Sequence, residues 1–331
     1  MAKFILRRLL WVIPVMLGVV LIVFTIDRVG PGDPVAAALG GTYTQEQYDA
    51  KEKELGLDQP YAVQFVNYIK GIVTELDLGT SYQTRRAVRD EILERFPTTL
   101  LLGMLGVALT VVVGIPFGII SATKQYSILD YIVTIVSLIF ASIPSFWMAM
   151  MFQLGLSYNL GWFPATYAAG SAVSMVMPVL TLGLSPVATV TRITRSSMLD
   201  VVRQDYIRTA RAKGLSERQV IWKHALKNAL IPVITVVGMQ IGMIMAGSVV
   251  VEAIFNIPGL GSLMMTAINN KDYPVIQGSV LFISLFVSLM NLLVDLIYGF
   301  VDPRIKAQYG SRKKKQPHKA EQPDLKEEEV A

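Results

Sequence analysis

The residues with the most to offer chemically lie in one basic, helix-forming stretch, DYIRTARAKGLSERQVIWKHALKNALIP, running from Asp205 to Pro232 between two long apolar runs. Asp205 to Ala212 reads as a short helix, and Gly214 can take the left-handed conformation that ends one. Ser216 suits the N-cap of a second helix, with Gln219 three residues on as its capping-box partner. The pattern predicts helix, sharp turn, helix. On it, Arg208 and Lys213 can pair with acidic groups, small Thr209 and Ala210 permit close approach, and Asp205, Tyr206 and Leu215 flank them. This is the chemistry of docking into a partner's groove rather than of bond-making. A solvated basic loop that only fixes topology is the competing reading.

Other chemistries find little support. The chain has no cysteine, so thiolate catalysis, disulfides and Cys-ligated metals are excluded. Its two histidines, His224 and His318, are far apart and outside any H-E-x-x-H pattern, so no metal is expected. There is no G-x-x-x-x-G-K-[ST], and the dipeptide Gly-Lys never occurs, so ATP has no phosphate cradle here. The apolar runs hold no Ser/His pair, aspartate pair or zinc motif, which argues against an intramembrane enzyme. An ion-driven transporter needs paired ionisable groups at mid-membrane, and the runs are almost free of charge. Their polar residues Gln153, Gln240, Asn291 and Asp295 are candidates to line a substrate path. Asp295 can also simply pair with a Lys or Arg.

The elements that position these residues are membrane helices. Of 331 residues, 53% are hydrophobic and 17% charged, with mean hydropathy +0.48. Spanning a bilayer takes about 20 apolar residues, and six runs qualify, near 9–26, 98–122, 131–156, 173–190, 230–251 and 275–301. The second follows Pro97, which suits a helix start. Prolines 14, 116, 144, 178 and 186 predict bends inside a packed bundle. Gly238, Gly242, Ala246 and Gly247 would let the fifth helix approach its neighbours. The first run is too long for a cleaved leader and is expected to be retained. With the N-terminus inside, inner segments carry 21 of the 30 Lys and Arg, which predicts both termini cytoplasmic. The pI near 9.2 then reflects topology rather than nucleic-acid binding.

The first outer loop, about 27–96, contains a helical stretch from Tyr61 to Leu76 and an amphipathic segment, RRAVRDEILERF, suited to the interface. It either guides an entrance or forms a stabilising lid. In the last outer loop, the turn at Pro258-Gly259-Leu260-Gly261 precedes a helix too short to span. The tail from about 308 is charged, of low complexity and expected to be disordered. The chain therefore divides into an N-terminal helix (1–29), an outer region (30–96), a core (97–306) with its loop near 192–228, and the tail (307–331).

The loop resembles the EAA loop of ABC-importer permeases, specifically the B-type subunit of the dipeptide/oligopeptide permease family. Gly214 matches that loop's glycine, Arg208-Thr209-Ala210 stands in the Glu-Ala-Ala place, and Ile231-Pro232 lies beyond the usual Leu-Pro position. RRLLWVIPVMLGVVLIVF, PGDP, LGLDQP, DLGTSY, RFPTTLLL, IFNIPGLG, DYPVIQG and VDPRI are also similar to that family, in order, across about 3–306. The resemblance implies an all-α polytopic protein with six transmembrane helices and the type I importer fold, in a bacterial or archaeal cell membrane. It implies a non-enzymatic subunit paired with a paralogous permease. Its other partners would be one or two cytoplasmic ATPases that bind the ATP and Mg, and an extracytoplasmic binding protein. No cofactor is expected in this chain. Peptide is the expected cargo, with nickel, glutathione, opines and oligosaccharides as the family's alternatives.

Overall fold

The structure, a computed structural model, describes residues 2–30 and 32–301. The charged tail and most of VDPRI lie outside the described residues. Thirteen α-helices make up the fold among those residues: α1 (Ala2–Val29), α2 (Pro34–Leu39), α3 (Gln45–Glu54), α4 (Tyr61–Glu75), α5 (Val88–Thr123), α6 (Ile128–Ser142), α7 (Ser145–Phe152), α8 (Val176–Val202), α9 (Asp205–Ala212), α10 (Glu217–Gln219), α11 (Leu226–Phe255), α12 (Leu260–Asn269) and α13 (Tyr273–Val301). A π-helical turn (Val220–Ala225) joins α10 to α11, and another (Gln153–Asn159) extends α7.

Among the described residues, five helices, α1, α5, α8, α11 and α13, are long and apolar enough to cross a membrane. The third predicted span is not a single rod. It breaks by 100° between α6 and α7, and the bent pair supplies the sixth crossing. Pro144 has no N–H, and Ile143 is extended at φ −85°, ψ 125°, so the α6 ladder cannot continue. Ile132, Ile135, Ile139 and Trp147 on these two helices remain exposed, as does Trp11 on α1, as expected of surfaces facing lipid.

The second span starts earlier than its proline suggests. α5 begins at Val88, and Pro97 lies inside it. Val88 and Ile92 are buried with Leu260, Leu263 and Val275 in a cluster that also takes in Phe96. Burying such side chains is worth about 1.5–3 kcal/mol each, which offsets the hydrogen bond the proline forgoes. The RRAVRDEILERF segment is therefore largely the first turns of a membrane helix rather than a separate interfacial one.

Small residues set the closest contacts. A Cβ on Gly118 of α5 would overlap Thr194 of α8. On the same interface, the Thr110 hydroxyl donates to the Gly183 carbonyl at 2.8 Å. Gly238 of α11 lies so close to Val294 of α13 that a Cβ would overlap both its methyls, and a Cβ on Gly242 would sit 3.1 Å from a Val287 methyl. A Cβ added to Gly247, by contrast, would meet no other element within 4 Å among the described residues, and Ala246 is exposed. These two do not mediate the close packing that their size suggests.

At the end opposite the α9 loop, the first outer segment folds back on the bundle. Phe24 of α1 is 1% exposed and surrounded by Tyr61, Phe65 and Tyr68 of α4. Asp272, just before α13, accepts hydrogen bonds from Tyr82 N at 3.0 Å and Gln83 N at 3.3 Å, as well as from the Ser81 hydroxyl. Glu252 at the end of α11 caps α12, accepting from Gly261 N at 2.6 Å and Ser262 N at 3.2 Å.

Candidate functional site: the α9 loop and a mid-span cleft

The α9 loop is built on a small apolar base. Ile207 and Ala210, three residues apart on α9, are buried with Met198, Val220, Ala225 and Ala229 and with Ile119 and Ala122 of α5. Ala210 is 7% exposed, so it faces the bundle and offers nothing to a docking partner. The helical period that buries Ile207 carries Ala210 to the same side. Asp205, Tyr206, Arg208, Thr209, Lys213, Gly214 and Leu215 are exposed.

The turn after α9 is tightly specified. Gly214 has φ +78°, and Ser216 and Gln219 form the full capping box. Arg211 closes the turn with two bonds to Glu217, Nε to Oε1 at 2.7 Å and Nη2 to Oε2 at 3.2 Å. The Glu217 carboxylate holds the Arg211 guanidinium's proton still more firmly than usual. The Tyr206 hydroxyl accepts from Asn228 Nδ2 at 2.8 Å, tying α9 to the start of α11. Arg208 lies 3.7 Å from Asp205 with both side chains open to solvent, a loose pair that leaves Arg208 available to a partner. Arg211, Glu217 and Asn228 escape sequence reading. Opposite charges on either side of a glycine turn are the one signal that could have drawn attention to the first two.

A second anchor lies where α8 leaves the bundle. Arg195 donates Nε to Asp130 Oδ1 at 3.0 Å and Nη2 to Oδ2 at 2.8 Å. Asp130 also accepts from Tyr126 N at 2.9 Å and from the Ser121 hydroxyl. The pair therefore ties α8 to the α5–α6 turn.

The bend between α6 and α7 opens into a cleft of about 550 Å³ bounded by α8 and α11. Ser145, Thr181, Ser185, Thr189 and Gln240 line it alongside Leu182, Met243 and Ile244. Among the described residues, none that lines it is charged. Hydroxyls and an amide at mid-span face protein or water rather than lipid, so this wall suits an uncharged polar path.

Of the four predicted path residues, the structure brings only Gln240 to the cleft. Gln153 donates Nε2 to the carbonyls of Ala165 at 2.8 Å and Ile254 at 3.1 Å, stapling α7 to α11. Asp295 pairs with Arg8 of α1 at 2.6 Å. Asn291 is exposed on α13, outside the cleft lining. The cleft's serines and threonines escape sequence reading because single hydroxyls inside apolar runs carry no periodic signal.

Comparison with known proteins adds an independent line. Residues 114–307 match the family described as binding-protein-dependent transport system inner membrane component, and residues 1–103 match its N-terminal family. The chain is 40% identical to the dipeptide transport system permease protein DppB of Alkalihalophilus pseudofirmus, over 92% of this chain and 100% of that protein. It is 40% identical to the oligopeptide transport system permease protein AppB of Bacillus subtilis, with the same coverage of each. It is 41% identical to the glutathione transport system permease protein GsiC of Salmonella typhi, over 92% of this chain and 99% of that protein. A chain of the MetNI methionine ABC transporter in an inward-facing conformation shares the fold, with a TM-score of 0.53 and 18% identity. The match covers 64% of this chain and 96% of that one.

Proposed function

This chain belongs to the family of binding-protein-dependent inner-membrane transport components, as a permease subunit of an ABC importer, and from that premise we propose that its cargo is di- or oligopeptides. It is a multi-pass membrane protein and a transport subunit rather than an enzyme. It pairs with a second, paralogous permease to enclose the path. Cytoplasmic ATPases bind ATP and Mg and dock on the α9 loop, and an extracytoplasmic binding protein delivers the cargo.

The observation that carries this reading is the α9 loop itself. A short helix seated on an apolar base presents Arg208, Thr209 and Lys213 outward, and its following turn is fixed by glycine, capping box and ion pair. A rigid element of this kind transmits a partner's displacement, where a floppy one would absorb it. Closure of the ATPases would move α9, and through Ile207, Tyr206 and the Arg195–Asp130 tie, the spans beside the cleft.

The test is co-purification of the tagged chain with the other subunits, followed by ATPase measurement with and without binding protein loaded with a peptide mixture. Peptide-stimulated hydrolysis supports the reading. A chain that purifies without an ATPase and moves solute down an ion gradient overturns it. The similarity to a glutathione permease favours glutathione as the second cargo, and competition between glutathione and peptide uptake separates the two.

A further inference from the structure

We propose that the cavity between α6 and α8 at the α9-loop end binds the free carboxylate of the cargo as it leaves the cleft, with Arg192 as its counter-charge. The proposal rests on the peptide-import reading above.

The cavity holds about 390 Å³ and has, among the described residues, three charged groups in its wall, Asp130, Arg192 and Arg195. The first and third neutralise one another. Both Asp130 oxygens are occupied by Arg195, Ser121 and Tyr126, and Arg195 spends its fork on Asp130. Arg192 is exposed and has no ion pair or hydrogen bond among the described residues. The cavity therefore carries one net positive charge. Ser137, also in its wall, is 5% exposed, and its hydroxyl has no hydrogen-bond partner among the described residues. A buried hydroxyl left unpaired is costly unless something fills the site. A cation and an unpaired hydroxyl facing one cavity suit a single anionic group.

The register of α8 connects this cavity to the cleft. Thr181, Ser185 and Thr189 line the cleft, and Arg192 continues the same helical face into the cavity. On α6, Ala141 borders the cleft, and Leu138 and Thr134 border the cavity. At 1.5 Å per residue, Ser185 and Arg192 are about 10 Å apart along the axis. That is about the length of an extended tripeptide. A peptide with its carboxylate at Arg192 would lay its amides along the hydroxyls, and every unmodified linear peptide has such a carboxylate whatever its side chains. The arrangement gives one anchor without side-chain selectivity.

The test uses the whole complex with its cognate permease, ATPases and loaded binding protein, reconstituted in phosphatidylcholine vesicles. Uptake of labelled trialanine is compared with that of its C-terminal amide, both at saturating binding protein. The expected result is faster uptake of the free acid. Arg192→Gln should lower the acid-to-amide ratio about tenfold, the size expected for loss of a charge-assisted hydrogen bond. Arg192→Lys should keep most of the ratio, and Ser137→Ala should lower it severalfold. A native ratio near one, or a ratio that Arg192→Gln leaves unchanged in a complex that transports, overturns the proposal. The same assay is repeated in vesicles with added phosphatidylglycerol; if that lipid slows acid and amide alike, and Arg192→Gln relieves the slowing, the cavity holds a lipid phosphate and the proposal is overturned. A native complex that takes up neither probe overturns the peptide reading, and this inference with it.

Discussion

Gly214 stands at φ +78° with no atom within 4 Å of an added Cβ, so a side chain there costs backbone energy alone. Gly214→Ala should therefore cost about 1–2 kcal/mol locally. It should lower peptide-stimulated ATPase activity in part while leaving membrane insertion intact. Gly214→Pro cannot reach this φ and should abolish stimulation; if stimulation survives, the turn is not the transmitting element. Arg211 and Glu217 give a complementary experiment. Their side chains are 39% and 61% exposed, so the pair contributes no more than about 1 kcal/mol to stability. Arg211→Glu and Glu217→Arg should each reduce ATPase coupling, and the double exchange should restore it. The helix, the turn and the cap of this loop are all legible in the sequence because they depend on neighbours a few residues apart. Ala210 shows the limit. Its size suggests docking, but only the packing of Ile207 against α5 and α8 reveals that this face is already taken.

At the scale of the element, the informative differences are where helices start and bend. Pro97 reads as a boundary, yet α5 continues through it because Val88 and Ile92 find partners on α12 and α13, far away in sequence. Pro144 reads as one bend among several, yet it turns the chain by 100°. Local signals mark where a helix can break, and tertiary packing decides whether it does. Packing also sets the cost of substitution. Gly238→Val should overlap Val294 and destabilise by about 1–3 kcal/mol, lowering the unfolding temperature in detergent well beyond the effect of Gly247→Ala. Asp130→Asn removes the carboxylate that holds Arg195. Breaking a buried pair costs about 3–5 kcal/mol, but Arg195 is 28% exposed and water can serve it, so about 2 kcal/mol is expected. Thermal unfolding of the two variants checks both figures.

For the whole molecule, composition and apolar runs are enough to read six crossings, because the bilayer fixes helix length and every backbone group must bond internally. The cleft is not legible in this way, since the bent α6–α7 pair meets α8 and α11, whose lining residues lie about 40 and 100 positions further along the chain. Orientation is open to direct measurement. The sequence has no cysteine, so a single introduced thiol is labelled without background. An impermeant maleimide should modify Tyr43→Cys in intact cells and reach Thr209→Cys only after lysis; the reverse pattern would invert the topology inferred from Lys and Arg. The bend between α6 and α7 has one more consequence, an electrical one. A polar recess reaching the middle of the membrane thins the insulation between two compartments held at different voltages. Each proton that crosses 100 mV dissipates about 2.3 kcal/mol of stored work. Leu182, Met243 and Ile244, apolar side chains in the wall of that recess, are the groups available to keep it dry between turnovers. Resting vesicles carrying Met243→Ser should lose an imposed pH gradient faster than native ones.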